Sequence, residues 1–296
     1  MNNPVIDISD LSKSYGKARG IDHINLKIEE GDIMGFIGPN GAGKSTTIRI
    51  LMNMIFPDSG SAKIFGMDVI KDSKKIKEKV GYVPSDANAY LSMTVIEFLT
   101  YCINFHRIRN GGNRITDLAG KFGLDLNRKI SDLSLGNRKK VSIVQSLLHS
   151  PDLLILDEPT TGLDPLMQSV FFDQLKTESN RGMSIFFSSH VLGEVQNFCK
   201  RVAFIKEGRI LQIEDIDYLR KKQLKKVSIE FPEHTTAESL SISGASDIET
   251  GSSNTISFMF SGNINELVSS LAGKQINNLI IEEPSLEEIF FHYYQS

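Results

Sequence analysis

Along the first thirty residues, apolar and polar positions take turns. Val5, Ile6 and Ile8 come first, and Ile24, Leu26 and Ile28 follow with polar side chains between them. A period of two predicts two half-buried strands flanking a turn region from Gly16 to Gly20. Ile33-Met34-Gly35-Phe36-Ile37 is an unbroken apolar run bounded by Gly31 and Gly38, which predicts a short buried strand. From Thr47 the spacing becomes helical. Pro57-Asp58-Ser59-Gly60 predicts a turn and Ala62 to Phe65 a further strand. Between about Ser85 and Ser150 helical spacing dominates, first in Val95, Phe98, Leu99 and Cys102, later in Val141, Val144, Gln145 and Leu148. This stretch reads as a helical insertion.

Strands then return. Leu153-Leu154-Ile155-Leu156 and Ser184-Ile185-Phe186-Phe187-Ser188 are runs expected of strands covered on both faces. Arg201 to Ile205 and Arg209 to Ile213 predict a hairpin turned at Glu207-Gly208. The basic stretch Arg220 to Lys226 marks a linker or a solvated helix. Beyond it, Val227 to Phe231 and Ile256 to Phe260 alternate, Ile264 to Leu271 has helical spacing, and Leu279-Ile280-Ile281 predicts a strand. In the last segment, Ser285 and Glu288 predict a capping box over a helix with Leu286, Ile289, Phe290 and Tyr293 on one side. The expected organisation is an α/β domain over 1–214 with an antiparallel β extension and a helical insertion at about 86–150. A linker at 215–226 and a small α+β domain at 227–296 complete it.

Composition narrows the class only modestly. A chain of 296 residues suits one large domain plus a small one, and 40% hydrophobic content suffices for ordinary cores. A net charge of −3 argues against a general nucleic-acid binder. Cys102 and Cys199 form no metal or disulfide pattern, which fits a reducing compartment. No apolar run approaches the roughly 18 residues of a spanning helix, and the N-terminus lacks the regions of a signal peptide. A cytoplasmic location is expected.

The chemistry concentrates in Gly38-Pro39-Asn40-Gly41-Ala42-Gly43-Lys44-Ser45-Thr46. Between a buried strand and a helix start, this pattern places backbone N–H groups around one point, where the helix dipole adds positive potential. Phosphate oxygens are the expected guest. Lys44 would reach the β- and γ-phosphates and the Ser45 hydroxyl would sit on Mg²⁺. At the end of the Leu153 run, Asp157 would serve the metal and Glu158 would polarise an attacking water. Four more segments stand out: Tyr15, Leu133-Ser134-Leu135-Gly136-Asn137, Thr161-Gly162-Leu163-Asp164 and Ser189-His190. Singly, each has a plain explanation: Ser134 as a helix cap, Asp164 as a turn residue, His190 as a hydrogen-bonded histidine, Tyr15 as a core aromatic.

In this order and at these spacings the set resembles the nucleotide-binding subunit of ABC transporters, over about Val5 to Ile213. The resemblance implies a P-loop NTPase (RecA-like) core and an ATPase that sandwiches two ATP molecules, each with Mg²⁺, between two subunits, identical or paralogous. It implies that Tyr15 stacks on adenine, and that Gly38, Asn40, Gly41, Gly43, Lys44, Ser45 and Thr46 hold the nucleotide. It further implies that Ser134 and the Gly136 amide meet the γ-phosphate of the other subunit, that Asp164 contacts across the dimer, and that His190 holds the attacking water in line. Where the family usually carries a metal-touching glutamine, this chain has Ser85, too short for the same direct contact. The Leu-Ser-Leu-Gly-Asn wording and the closing Glu283 to Phe290 segment resemble ABC-2-type bacterial exporters. That resemblance implies a separate transmembrane permease and a place at the cytoplasmic face of the membrane. A soluble ABC ATPase acting on ribosomes or nucleic acid is the alternative; it usually carries two modules or a long coiled-coil insertion, and neither is visible. No Asn-Lys-x-Asp segment of a GTPase occurs.

Overall fold

The computed structural model describes residues 4–16, 18–86, 91–109, 111–221, 224–232, 242–251, 254–282, 284 and 288. The chain divides into two compact units, Met1–Ile213 and Glu214–Ser296.

The first unit opens with β1 (Ile6–Tyr15) and β2 (Ala18–Ile28), an antiparallel pair in which Ile6 faces Ile28 and Tyr15 faces Ala18. The turn is tighter than the alternation alone suggests, because β2 already includes Gly20. Next come β3 (Ile33–Ile37), α1 (Lys44–Leu51), β4 (Ser59–Ile64) and the two-residue β5 (Met67–Asp68). β4 pairs β1 antiparallel, giving a sheet in the order β2-β1-β4-β5. The alternation of the opening residues is explained by this sheet, which buries Ile6, Ile8, Leu11, Ile24, Leu26 and Ile28 on one side.

The central sheet gathers β3 with five later strands. After α2 (Ser73–Lys77) comes β6 (Val80–Val83); its four residues escaped the sequence pattern. The insertion follows as α3 (Val95–His106), α4 (Gly111–Lys121) and α5 (Leu135–Leu147). Thr94 and Glu97 form a reciprocal capping box at the start of α3. Then come β7 (Leu153–Asp157), α6 (Pro165–Ser179), β8 (Ser184–Ser189), α7 (Leu192–Phe198), β9 (Arg201–Lys206) and β10 (Arg209–Asp215). The order is β10-β9-β3-β8-β7-β6, with β9, β3, β8, β7 and β6 parallel. Every residue of β3, β7 and β8 is buried, the expected consequence of helices covering both faces. β9 and β10 are joined by Glu207 and Gly208, both at positive φ, the two-residue turn whose twist suits a hairpin.

The second unit contains α8 (Ile216–Lys221), β11 (Leu224–Glu230), β12 (Ala245–Thr250), β13 (Thr255–Ser261), α9 (Ile264–Leu271) and β14 (Asn278–Glu282). Its sheet runs β12-β13-β11-β14 and buries Val227, Ile229, Ile256, Phe258 and Phe260 with Leu267 and Leu271 of α9. Within the stretch 215–226, whose basic part suggested a linker or a solvated helix, Ile216–Lys221 is a helix and Leu224 to Lys226 begin β11. Leu224 and Val227 are buried on the strand, and the intervening lysines keep their stems half-buried while their charges reach outward. Ser285 of the expected capping box lies outside the described residues; Glu288 is described, and its carboxylate pairs with Lys226 at 2.7 Å.

Candidate functional site: the C-terminal edge of the parallel sheet

Parallel strands carry their following loops at one edge of the sheet, where open α/β folds assemble their sites. Here that edge receives the Gly38–Thr46 loop after β3, Asp157 and Glu158 at the end of β7, Ser188 to His190 at the end of β8, and Pro84-Ser85 after β6. The β7/β8 register sets Asp157 directly beside Ser188.

The loop leads into α1 through Gly43, which has φ 111°. That conformation is strained for any other residue, and a Cβ there would come within 2.7 Å of Ile21 Cγ2 on β2. The loop thus wraps tightly against the hairpin that carries Tyr15. Tyr15 itself is 45% exposed, with the Lys13 ammonium 5.9 Å from its ring centre, so it is not a core aromatic. Asn40 and Gly41 are exposed at the crest of the loop, and Ser45 and Thr46 are half-buried on the first turn of α1.

Lys44 is only 4% exposed, and its Nζ has three acceptors: Gly38 O at 2.7 Å, Pro39 O at 3.3 Å and Glu158 Oε1 at 3.2 Å. The other Glu158 oxygen lies 3.2 Å from His190 Nδ1. Glu158 stands in the left-handed region at φ 46°, and its N–H is anchored to both the carbonyl and the hydroxyl of Ser188 at 3.2 Å. A non-glycine residue held there costs of order 1–3 kcal/mol, which the surrounding hydrogen bonds must offset.

Asp157 is fully buried. Its Oδ1 accepts from Ser45 Oγ at 3.1 Å and Ser188 Oγ at 2.8 Å, while its Oδ2 meets no hydrogen-bond partner. An unsatisfied buried carboxylate oxygen costs upwards of about 1–3 kcal/mol. A hard cation bound by oxygens removes that cost, and the Ser45 hydroxyl beside the carboxylate belongs to the same donor class. The residues present therefore fit Mg²⁺. The buried charge is felt nearby: burial first and Asp157 second push the Tyr82 hydroxyl up to about 12.

Among the described residues no hydrogen bond or ion pair joins Ser134 or Gly136 to Lys44, Asp157 or Glu158. Ser134 caps α5, its oxygen accepting from Asn137 N at 3.3 Å, which leaves the hydroxyl hydrogen to donate elsewhere. Asp164 likewise caps α6, accepting from Met167 N at 3.0 Å ahead of Pro165 at the first helical position. Gly136 faces the Gly162 carbonyl so closely that a Cβ would sit 2.4 Å from it, so the two segments pack backbone to backbone. Ser85 presents its carbonyl, not its hydroxyl, to a described partner: Lys139 Nζ, at 2.7 Å.

Two contributors escaped the sequence reading. Ser188 had been absorbed into an apolar run, although a serine inside a fully buried strand is itself a signal of a polar partner. Lys139, 1% exposed, lies just past the Leu133–Asn137 segment and drew no reading from the sequence.

A family model described as "ABC transporter" matches residues 21–161. The chain is 35% identical over 240 residues to the bacitracin transport ATP-binding protein BcrA of Bacillus licheniformis, covering 79% of this chain and 77% of that one. It is 32% identical to the ABC transporter ATP-binding protein NatA of Bacillus subtilis (strain 168), covering 70% of this chain and 88% of that one. Among solved structures it resembles an ATP-binding subunit of an ABC transporter, with TM-score 0.69 and 27% identity over 73% of this chain and 92% of that chain. The fold is also that of the dimeric cassette MJ0796, solved with ADP and Pi, with TM-score 0.66 and 23% identity over 71% of this chain and 98% of that chain.

Proposed function

The chain belongs to the ABC transporter ATP-binding proteins, and from that premise we propose that it is the ATP-hydrolysing subunit of an exporter, working as a two-copy sandwich on a separate permease. The observation that carries the catalytic part is the pair of Asp157 oxygens: one fixed by Ser45 and Ser188, the other buried and bare. Mg²⁺ bound there would supply positive charge to offset that of the phosphates. Ser45 and Asp157 are the residues to hold it.

Phosphoryl transfer depends mainly on positioning and charge stabilisation. Lys44, leaving Glu158, would stabilise the β- and γ-phosphates. Glu158 would then accept a proton from the attacking water, with His190 beside it to hold that water and the γ-phosphate in line. Gly38, Gly41, Gly43 and Thr46 supply the cradle, Asn40 stands at its crest, and Tyr15 offers a flat exposed face for adenine.

Ser134, Gly136 and Asp164 make no hydrogen bond or ion pair with Lys44, Asp157 or Glu158 among the described residues, which supports their serving the nucleotide of a second copy. Splitting the site makes hydrolysis conditional on closure of the dimer. The partner copy is either identical or a paralogue.

For the permease, the exposed aromatics of α3 favour a docking role: Phe105 is 74% exposed and Tyr101 48%. No helix among the described residues is long and apolar enough to cross a membrane. The likeness to transporter ATP-binding proteins supports a place at the cytoplasmic face, held there by the permease. The names of the matched relatives speak of transport, which favours the exporter over an ATPase acting on ribosomes or nucleic acid. The test is nucleotide binding and turnover by the purified chain. ATP binding should survive removal of Mg²⁺ in weakened form and turnover should not, and Lys44→Ala should abolish both. Turnover that persists in EDTA would overturn the metal reading.

A further inference from the structure

Lys139 sits on α5 five residues beyond the Ser134 cap, roughly 7–8 Å along the helix axis. Its ammonium is buried, whereas the neighbouring Arg138 and Lys140 are only half-buried, and it donates to two successive carbonyls: Pro84 O at 2.8 Å and Ser85 O at 2.7 Å. A lysine 1% exposed is rare without a built-in reason. The turn it grips lies against the metal edge of the site. Val83 of β6 is in register with Leu156 of β7, so Pro84 and Ser85 follow Val83 as Asp157 and Glu158 follow Leu156. Burial draws the Lys139 ammonium below the usual lysine range, whereas the carboxylates of Asp157, Asp86 and Glu158 all favour its charge.

We propose that Lys139 is a positioning residue that ties the Ser134 end of α5 to the Pro84–Ser85 turn and so sets where Ser85 and Asp86 stand relative to Asp157. The proposal deepens the function above and rests on its reading of Asp157 as facing the metal. Ser85 cannot itself span from its backbone to the metal and to the insertion. The link is made from the opposite side, by a long side chain on the helix whose N-terminus carries Ser134 and Gly136. A compact ammonium with several donors suits two carbonyls one residue apart, a task no single amide or hydroxyl performs as well. Engagement of α5 by a second copy would therefore be passed to the turn through one link.

The test uses the full chain with Lys139→Met, Lys139→Gln and Lys139→Arg. Two readouts are taken: amide hydrogen exchange in the peptide Val80 to Asp86, and the Mg²⁺ concentration giving half-maximal ATP hydrolysis. Met and Gln should speed exchange in that peptide while leaving the β3 peptide unchanged. They should also raise the Mg²⁺ midpoint about tenfold, the usual scale for loss of a group that supports a metal site. ATP binding in EDTA should be retained, and Arg should recover most of both readouts. Lys139→Gln serves where Lys139→Met does not fold. Exchange and midpoint both at the parental values in the Gln variant would overturn the proposal, as would lost turnover that only tracks lost folded protein. A parent indifferent to Mg²⁺ would instead overturn the metal reading; the exchange readout then decides the tether by itself.

Discussion

Lys44 and Glu158, proposed to bind phosphate and to activate water, are paired with each other, Nζ to Oε1 at 3.2 Å. Each therefore occupies the other until a phosphate competes for the ammonium. Opposite charges this close and this sheltered interact strongly, so the exchange of partners needs a ligand of comparable charge. A γ-phosphate meets that requirement.

Glu158→Gln should lower turnover by about 10²–10⁴-fold, the usual contribution of a positioned general base. ATP binding should remain, and ATP-bound dimers should persist on gel filtration. An unchanged hydrolysis rate would remove Glu158 from its role as activating group.

Ser188→Ala takes one hydrogen bond from Asp157 and another from the Glu158 N–H. We expect a stability loss of about 1–3 kcal/mol by thermal or urea unfolding, together with a raised Mg²⁺ requirement. Loss of stability with an unaltered Mg²⁺ titration would make Ser188 purely a scaffold residue.

A mixture of Ser134→Arg and Lys44→Ala subunits should keep at most one intact composite site per heterodimer. Each variant alone should be inactive, and mixing equal amounts should restore about a quarter of all sites if pairing is random, read as steady-state ATPase. Parental activity in both single variants would sink the two-copy sandwich.

Acid should loosen the fold through His149. Its ring stacks on His106 with centroids 4.2 Å apart. Burial, with help from His106 and Arg114, draws it down to about 4, against the pull of the Val80 backbone and Asp152. Because the unfolded chain takes up this proton near pH 6.5 and the folded chain only near 4, stability from this group falls as pH drops through that window. The slope is at most about 1.4 kcal/mol per pH unit. His149→Phe, which keeps the stack, should lose less melting temperature than the parent between pH 7 and pH 5; an equal loss would clear His149.

The phosphate loop, the acidic strand end and the strand that closes on His190 were legible because each follows an apolar run whose length and purity announce a doubly covered strand. Beside them the sequence was silent wherever a residue's role depended on a partner far along the chain. Ser188 matters because parallel register sets it beside Asp157, 31 residues away. Lys139 matters because its helix packs over β6, so that one base among Arg138, Lys139 and Lys140 turns inward. The end of the basic stretch was illegible for a related reason: a run of lysines reads as solvated until strand pairing shows that Leu224 and Val227, on opposite faces of β11, are both buried.

The close approach of Gly136 to the Gly162 carbonyl has a consequence for how two copies would keep step. With no side chain between them, the start of α5 and the segment leading to Asp164 pack backbone to backbone, and that segment issues directly from Glu158. The face proposed to meet a neighbour's nucleotide is thus packed against the segment that follows the carboxylate proposed to act on the chain's own. Spending one nucleotide would then alter the fit around the other, and the two sites would behave as a coupled pair of clocks with a shared escapement.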